Sequence, residues 1–375
     1  MTFQRMELED WFDRYQFERE VDLGESAVKF LKVQDLNVDL GDVDLRYGHH
    51  SGSPKLRSII AEDYPGLSGD NIIVTNGGSE AIFSLYNGIM SKGDRLVVEH
   101  PNYPSLYEIP QSIGCEIALL RLSYDNNFRP DLDELDSLVT HDTKILCITH
   151  PNNPTGSTIS EHELLQIVDI CEKKDVILLS DETYLELNFD SNLPPAASLS
   201  ANAISLSTMS KCYGLPGIRI GWMATKKKEI LDRILCVREY TTITNSAVGE
   251  HIAGHVLQNK ADFLGRAKSR VDENKKIVCD WIERHEYVEW VKPTAGVVGL
   301  GRLKEDAVND PQDLYDILAQ KYKTMTIPGK YFGLDNRFFR LGFGANSKEI
   351  AEGLQRFDKA IADIRMADSA LAEVS

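Results

Sequence analysis

Paired cysteines are missing from this chain. Its six cysteines, Cys115, Cys147, Cys171, Cys212, Cys236 and Cys279, lie scattered over 375 residues, and no two have C-x-x-C spacing. Neither a zinc site nor a disulfide framework is indicated, no metal is expected, and the thiols point to the reducing cytoplasm. Basic tracts are equally scarce. The 41 Lys and Arg face 58 Asp and Glu, for a net charge of -17, and a field of that sign argues against a nucleic-acid partner. No apolar run approaches the ~20 residues that span a bilayer. Met1–Asp13 mixes charges with aromatics and has no apolar signal core, so no membrane association is expected. Internal repeats and low-complexity linkers are also absent.

What is present is a chain that is 42% hydrophobic, ample for a large core. Apolar runs that read as buried strands fall at Asn71–Thr75, Arg95–Glu99, Glu116–Leu122, Lys144–Thr149, Val176–Ser180, Ala203–Leu206 and Ile218–Ala224. Amphipathic helical patterns such as Ser79–Met90, Leu132–Val139 and Glu161–Lys173 lie between them. This alternation predicts an α/β fold with a mostly parallel sheet covered on both faces. A long periodic helix is expected from about Phe263 to His285. Short strands are expected at Val288–Val291, Gly296–Leu300, Thr324–Ile327 and Phe338–Phe343, and a last helix from Ser347 to Met366. The expected division is an N-terminal segment (1–45) joining a small α+β domain (263–375), with a large domain (46–262) between them. Residues Ala367–Ser375 read as a frayed helix end.

In such sheets ligands sit beyond the carboxyl ends of the strands, and that is where unusual residues cluster. Ser207-Thr208-Met209-Ser210-Lys211 places a lysine behind hydroxyls, with Arg219 eight positions on and glycines at 214, 217 and 221. Thr75-Asn76-Gly77-Gly78-Ser79-Glu80 follows a strand and opens a helix, a natural anion site to which Ser79 adds a hydroxyl; Ser79 could equally cap that helix. Tyr103, in Pro101-Asn102-Tyr103-Pro104, could stack on a planar ring or fill the core. Asn153, in His150-Pro151-Asn152-Asn153-Pro154-Thr155-Gly156, is held extended by the following proline and either presents its amide to a ligand oxygen or forms a simple turn. Asp181, in Ser180-Asp181-Glu182-Thr183-Tyr184, is either a helix cap or a buried carboxylate that keeps a pyridine nitrogen protonated, with Tyr184 near the same ring. Arg340 stands alone in the apolar strand Phe338–Phe343 and should have an anionic partner. Its fork fits a substrate carboxylate, or a structural ion pair. An amine, a phosphate site, a ring-nitrogen acid and a carboxylate anchor together are what pyridoxal 5'-phosphate (PLP) chemistry on an amino acid requires.

Taken in order, these motifs resemble the class I/II aminotransferases, fold-type I PLP-dependent enzymes, from about Val21 to Arg365. The resemblance implies a large domain with a seven-stranded sheet, a smaller α+β domain, and activity on an L-amino acid and a 2-oxo acid through Schiff-base and carbanion intermediates. It implies that Lys211 is the Schiff-base lysine and proton shuttle, with Asp181 on the pyridine nitrogen. Asn153 and Tyr184 would meet the phenolic oxygen and Tyr103 would stack on the ring. Gly78, Ser79, Glu80, Thr208, Ser210 and Arg219 would surround the phosphate. Gly24, Asn153 and Arg340 would receive the substrate. Tyr47, in Tyr47-Gly48-His49-His50-Ser51-Gly52-Ser53-Pro54, resembles the tyrosine that reaches a partner subunit's phosphate, which implies a homodimer; His49 and His50 read as loop residues. A narrower resemblance, in Leu23–Val28, Leu45–Gly48 and Arg238–Ile243, is to the branch containing capreomycidine synthase. It implies the alternative of a lyase, cyclase or oxidase acting on arginine or a hydroxylated arginine. Glu25 is a candidate for meeting a cationic side chain.

Overall fold

Uninterrupted apolar segments such as Ile72–Thr75 and Ala203–Thr208 are buried along their whole length, as strands covered on both faces must be. The computed structural model describes residues 3–188 and 193–372. Helix α1 (Glu7–Tyr15), the two-residue strand β1 (Val21–Asp22) and α2 (Pro54–Ala61) come first. Strands and helices then alternate: β2 (Ile72–Thr75), α3 (Gly78–Ile89), β3 (Arg95–His100), α4 (Ser105–Ile113), β4 (Glu116–Arg121), α5 (Leu132–Leu138), β5 (Thr143–Thr149), α6 (Glu161–Lys174), β6 (Ile177–Asp181), α7 (Ala196–Leu199), β7 (Ala203–Thr208) and β8 (Gly221–Thr225). Helices α8 (Lys228–Arg238), α9 (Ala247–Gln258) and α10 (Lys260–Arg284) follow. The remainder comprises β9 (Val288–Trp290), β10 (Val298–Leu303), α11 (Pro311–Gln320), β11 (Thr324–Met325), β12 (Ile327–Pro328), β13 (Phe338–Gly342) and α12 (Ser347–Ala372).

The large sheet has seven strands in the order β2-β8-β7-β6-β5-β3-β4. Only β8 runs against its neighbours β2 and β7, and the other pairings are parallel. Leu85, Leu106, Ile230 and Ile234 of α3, α4 and α8 pack on one face; Leu135, Leu164 and Ile167 of α5 and α6 pack on the other. Burying each such side chain contributes ~1.5–3 kcal/mol. A second, antiparallel sheet has the order β12-β13-β10-β9, and β1 pairs in parallel with β11.

Three details depart from the sequence expectation. The last large-sheet strand begins at Gly221 rather than Ile218, because Pro216–Ile218 forms a 3-10 turn and Arg219 takes a left-handed conformation. The single strand expected over Thr324–Ile327 divides between two sheets. The Met1–Asp13 stretch contributes to a helix, α1, whose Leu8, Trp11, Phe12 and Tyr15 recur at helical spacing. Trp11 is buried and donates its Nε1–H to the Thr326 carbonyl at 3.0 Å, fastening α1 to the small-sheet region. Among the described residues no helix is long and apolar enough to cross a membrane.

Candidate active site

Strand register decides which residues meet. Thr149 stands opposite Asp181, and Gly221 lies between Thr75 and Thr208. All are at the edge from which the loops after β2, β3, β5, β6 and β7 emerge. Those loops, with α1 and the Gly24–Ser26 turn, enclose a cavity of ≈ 280 Å³. Its lining includes Gly78, Ser79, Tyr103, Asn153, Asp181, Tyr184, Thr208, Ser210, Lys211, Arg219 and Arg340.

The Lys211 amine donates to Ser26 Oγ at 3.0 Å and lies 3.3 Å from Glu25 Oε1. Lys211 and Arg340 hold the Glu25 carboxyl below the usual carboxylate range, against the opposing effect of burial. Ser26 has a second tie, since its carbonyl accepts from the Tyr184 hydroxyl at 2.9 Å. Burial pushes the Tyr184 phenol well above its ordinary pKa, so it remains a hydrogen-bond donor at neutral pH.

Asp181 is buried, and its Oδ1 accepts the Thr183 N–H at 3.0 Å. Among the described residues no cation pairs with it, and burial raises its pKa. A cavity-lining carboxylate in that state is suited to a ligand that brings its own N–H⁺.

The corner at the start of α3, expected to take an anion, is built by close approach. Gly77 has φ 83°, and a Cβ there would fall 2.3 Å from an Arg219 guanidinium nitrogen. A Cβ on Gly221 would meet the Gly77 carbonyl carbon at 2.7 Å. Only glycine lets β8 and Arg219 press against the start of α3. Thr208 and Ser210 share a hydroxyl–hydroxyl contact of 3.0 Å beside them. Free N–H groups at the helix start, two hydroxyls and a guanidinium make a corner that can hold a phosphate.

Of the two partners open to Arg340, a structural ion pair is not made among the described residues, and its direct acceptors are neutral. Its Nε and one terminal nitrogen donate to the Gly24 carbonyl at 3.1 and 2.6 Å, and the other terminal nitrogen donates to Asn153 Oδ1 at 3.0 Å. It is buried and lines the cavity, so a desolvated guanidinium whose direct acceptors are neutral, with the Glu25 carboxylate nearby, borders a space where a second carboxylate can fit. With Oδ1 occupied, Asn153 keeps its NH₂ as a donor.

Three expected residues do not line the cavity. Glu80 does not line the cavity; its carboxylate accepts from the Asn76 N–H at 2.5 Å and from Arg238. Tyr47 is highly exposed, on a separate open groove of ≈ 750 Å³. Gly24 contributes its carbonyl to Arg340 rather than a wall of the cavity. Ser26, Asn102, Thr149, Thr183 and the α1 residues Leu8, Glu9 and Phe12 line the cavity without having been expected there. For α1, the helical spacing of its apolar residues was a usable signal.

The model of the class I and II aminotransferases matches residues 20–357. The chain belongs to that family. The family and its PLP-dependent structural neighbours imply PLP, and the site fits the group: the buried acid without a cation, the glycine-walled corner and the cavity-lining guanidinium can each meet a part of it or of an amino acid. This aminotransferase-family chain is 27% identical to capreomycidine synthase from Streptomyces vinaceus over 360 residues, 92% of this chain and 91% of that one. It is 24% identical to an aspartate aminotransferase from Pyrococcus horikoshii, covering 84% and 83%. Among solved structures, a PLP-dependent aminotransferase from Streptococcus suis superposes with a TM-score of 0.91 at 27% identity, covering 97% and 99% of the two chains. The PLP-dependent cyclase OrfR gives 0.90 at 27%, covering 97% and 98%.

Proposed function

We propose that this PLP-dependent enzyme is an aminotransferase that moves an amino group from an L-amino acid to a 2-oxo acid. The observation that carries the reading is the meeting of Lys211, Asp181 and Arg340 at one cavity beside an anion corner. When bound, the cofactor supplies an aldehyde for amines and a ring that accepts the electron pair released at the substrate α-carbon. In this reading Gly78, Ser79, Thr208, Ser210 and Arg219 hold the phosphate, and Tyr103 stacks on the ring. Asp181 would keep the ring nitrogen protonated, Asn153 would donate to the phenolic oxygen, and Tyr184 would do so by turning its hydroxyl from the Ser26 carbonyl. Arg340 orients the substrate carboxylate, and so the Cα–H bond, toward Lys211, whose amine removes and returns the proton. The enzyme acts as a cytoplasmic homodimer in which the exposed Tyr47 meets the partner's cofactor phosphate.

A second reading, a lyase, cyclase or oxidase on arginine or a hydroxylated arginine, is favoured by two acidic side chains. Glu9 and Glu25 both border the cavity, and capreomycidine synthase is among the relatives. One screen separates the readings. The purified PLP form is mixed with single amino acids without a 2-oxo acid, and cofactor and products are weighed by mass spectrometry. Aminotransfer yields a 2-oxo acid and the amine form of the cofactor in equal amounts. Turnover of arginine or hydroxyarginine with the cofactor still in its aldehyde form would replace the first reading with the second.

A further inference from the structure

Glu80 lies in the first turn of α3, and its bonds lead away from the cavity. Oε2 accepts from Asn76 N–H at 2.5 Å and from Arg238 Nε at 3.1 Å, while the Thr242 hydroxyl donates to Oε1. The Arg238 side chain is completely buried. Its two terminal nitrogens donate to the His50 carbonyl and to Asn245 Oδ1, the latter at 2.8 Å. Asn245 passes the connection on through Glu250, whose carboxylate accepts the Ser53 N–H at 3.1 Å.

A buried ion pair adds little stability, because desolvation offsets most of its attraction; its contribution here is fixed geometry, and that geometry has two ends. At one end Asn76 is held from both sides, its N–H by Glu80 and its carbonyl by Arg219 at 3.4 Å. The anion corner begins at the next residue. At the other end is the 50–53 segment, which follows the exposed Tyr47 and rests on β2 through a Val74 N–H to Ser51 carbonyl bond of 3.0 Å. We propose that Glu80 and Arg238 are positioning residues that couple the anion corner to the 50–53 segment, so that seating the cofactor phosphate rigidifies that segment. The inference rests on the reading that this corner takes the phosphate of PLP.

The test compares hydrogen–deuterium exchange of residues 48–53 with and without PLP in the wild type, Glu80→Gln and Thr242→Val. Protein is kept at concentrations where light scattering gives the same mass in both states. Borohydride reduction and peptide mass report separately whether PLP reaches Lys211. In the wild type PLP should slow exchange over 48–53 by roughly 10-fold, within the usual range of coupling between sites. In Glu80→Gln the slowing should fall below about twofold while the PLP dissociation constant rises roughly 10-fold. Thr242→Val should move both quantities the same way by less, and it serves as the test if Glu80→Gln does not fold. A Lys211 adduct with no response at 48–53, or an equal response in the variants, overturns the coupling alone. Absence of the adduct in the wild type overturns the phosphate assignment and the coupling with it.

Discussion

Arg340 on β13 donates to Asn153 Oδ1 at 3.0 Å, joining the small sheet to the loop after β5. The contact orients both groups at once. The guanidinium is held at the cavity, which Asn153 and Tyr184 also line, and among the described residues the Asn153 NH₂ has no acceptor. A substrate carboxylate docking on Arg340 would compete for this bond and so act on the group proposed to meet the cofactor's phenolic oxygen.

Arg340→Lys should therefore weaken binding of the amino acid more than it slows the chemistry. Losing a bidentate charged contact costs ~1.5–3 kcal/mol, so KM should rise ~10–100-fold with a smaller change in kcat. Steady-state kinetics with the best amino acid from the screen provides the check. A KM within twofold of wild type would place the carboxylate elsewhere.

Lys211→Ala should remove covalent attachment of the cofactor while the fold persists, because the Lys211 side chain is partly exposed and, among the described residues, bonds only the Glu25–Ser26 turn. Borohydride reduction followed by peptide mapping should find the mass increment on Lys211 in the wild type and none in the variant. An increment on another lysine would refute the central role given to this one.

Asp181→Asn retains shape but removes the buried charge that a protonated ring nitrogen needs. Turnover should drop by roughly 10²–10⁴-fold, the range associated with a positioned acid–base group, while PLP still binds through its phosphate. Wild-type turnover would mean that another acid serves the ring.

Glu182, one residue further on, makes a stability prediction independent of catalysis. Burial pushes its carboxyl up to about 7, against hydrogen bonds from the Ala196 N–H and the Ser205 hydroxyl. Between the unfolded carboxyl's ~4.3 and 7 the native state holds the extra proton, so this group's contribution to stability falls as pH rises through that window. Glu182→Gln lacks the effect. Its stability relative to wild type should grow from pH 4.5 to 7, by on the order of 3 kcal/mol, and then level off. Urea denaturation at pH 5, 6, 7 and 8 measures this, and a pH-independent difference would show that Glu182 titrates as an ordinary carboxyl.

Strands that were continuous apolar runs were legible from composition alone, because burial on both faces leaves no polar positions to confuse the pattern. The α4 helix (Ser105–Ile113) was not, since Pro110 interrupts its signal. Tyr103, Asp181, Lys211 and Arg340 were legible because each is chemically out of place at a strand end or in an apolar run. Ser26 and Thr149 carry no such mark, and Glu80, in sequence register for the phosphate, turns toward Arg238, a residue 158 positions away in sequence.

Local chemistry, then, is what the sequence by itself determined: alternating strands and helices, a lysine behind hydroxyls, glycines before a helix, an arginine alone among apolar residues. Tertiary structure decided which of these face one another. The parallel register of β5 and β6 and the reversed β8 bring distant strand ends to one edge, and the Gly24–Ser26 turn places Glu25 and Ser26 on Lys211. Such contacts depend on side-chain direction and long-range packing, and neither follows from residue type or spacing along the chain.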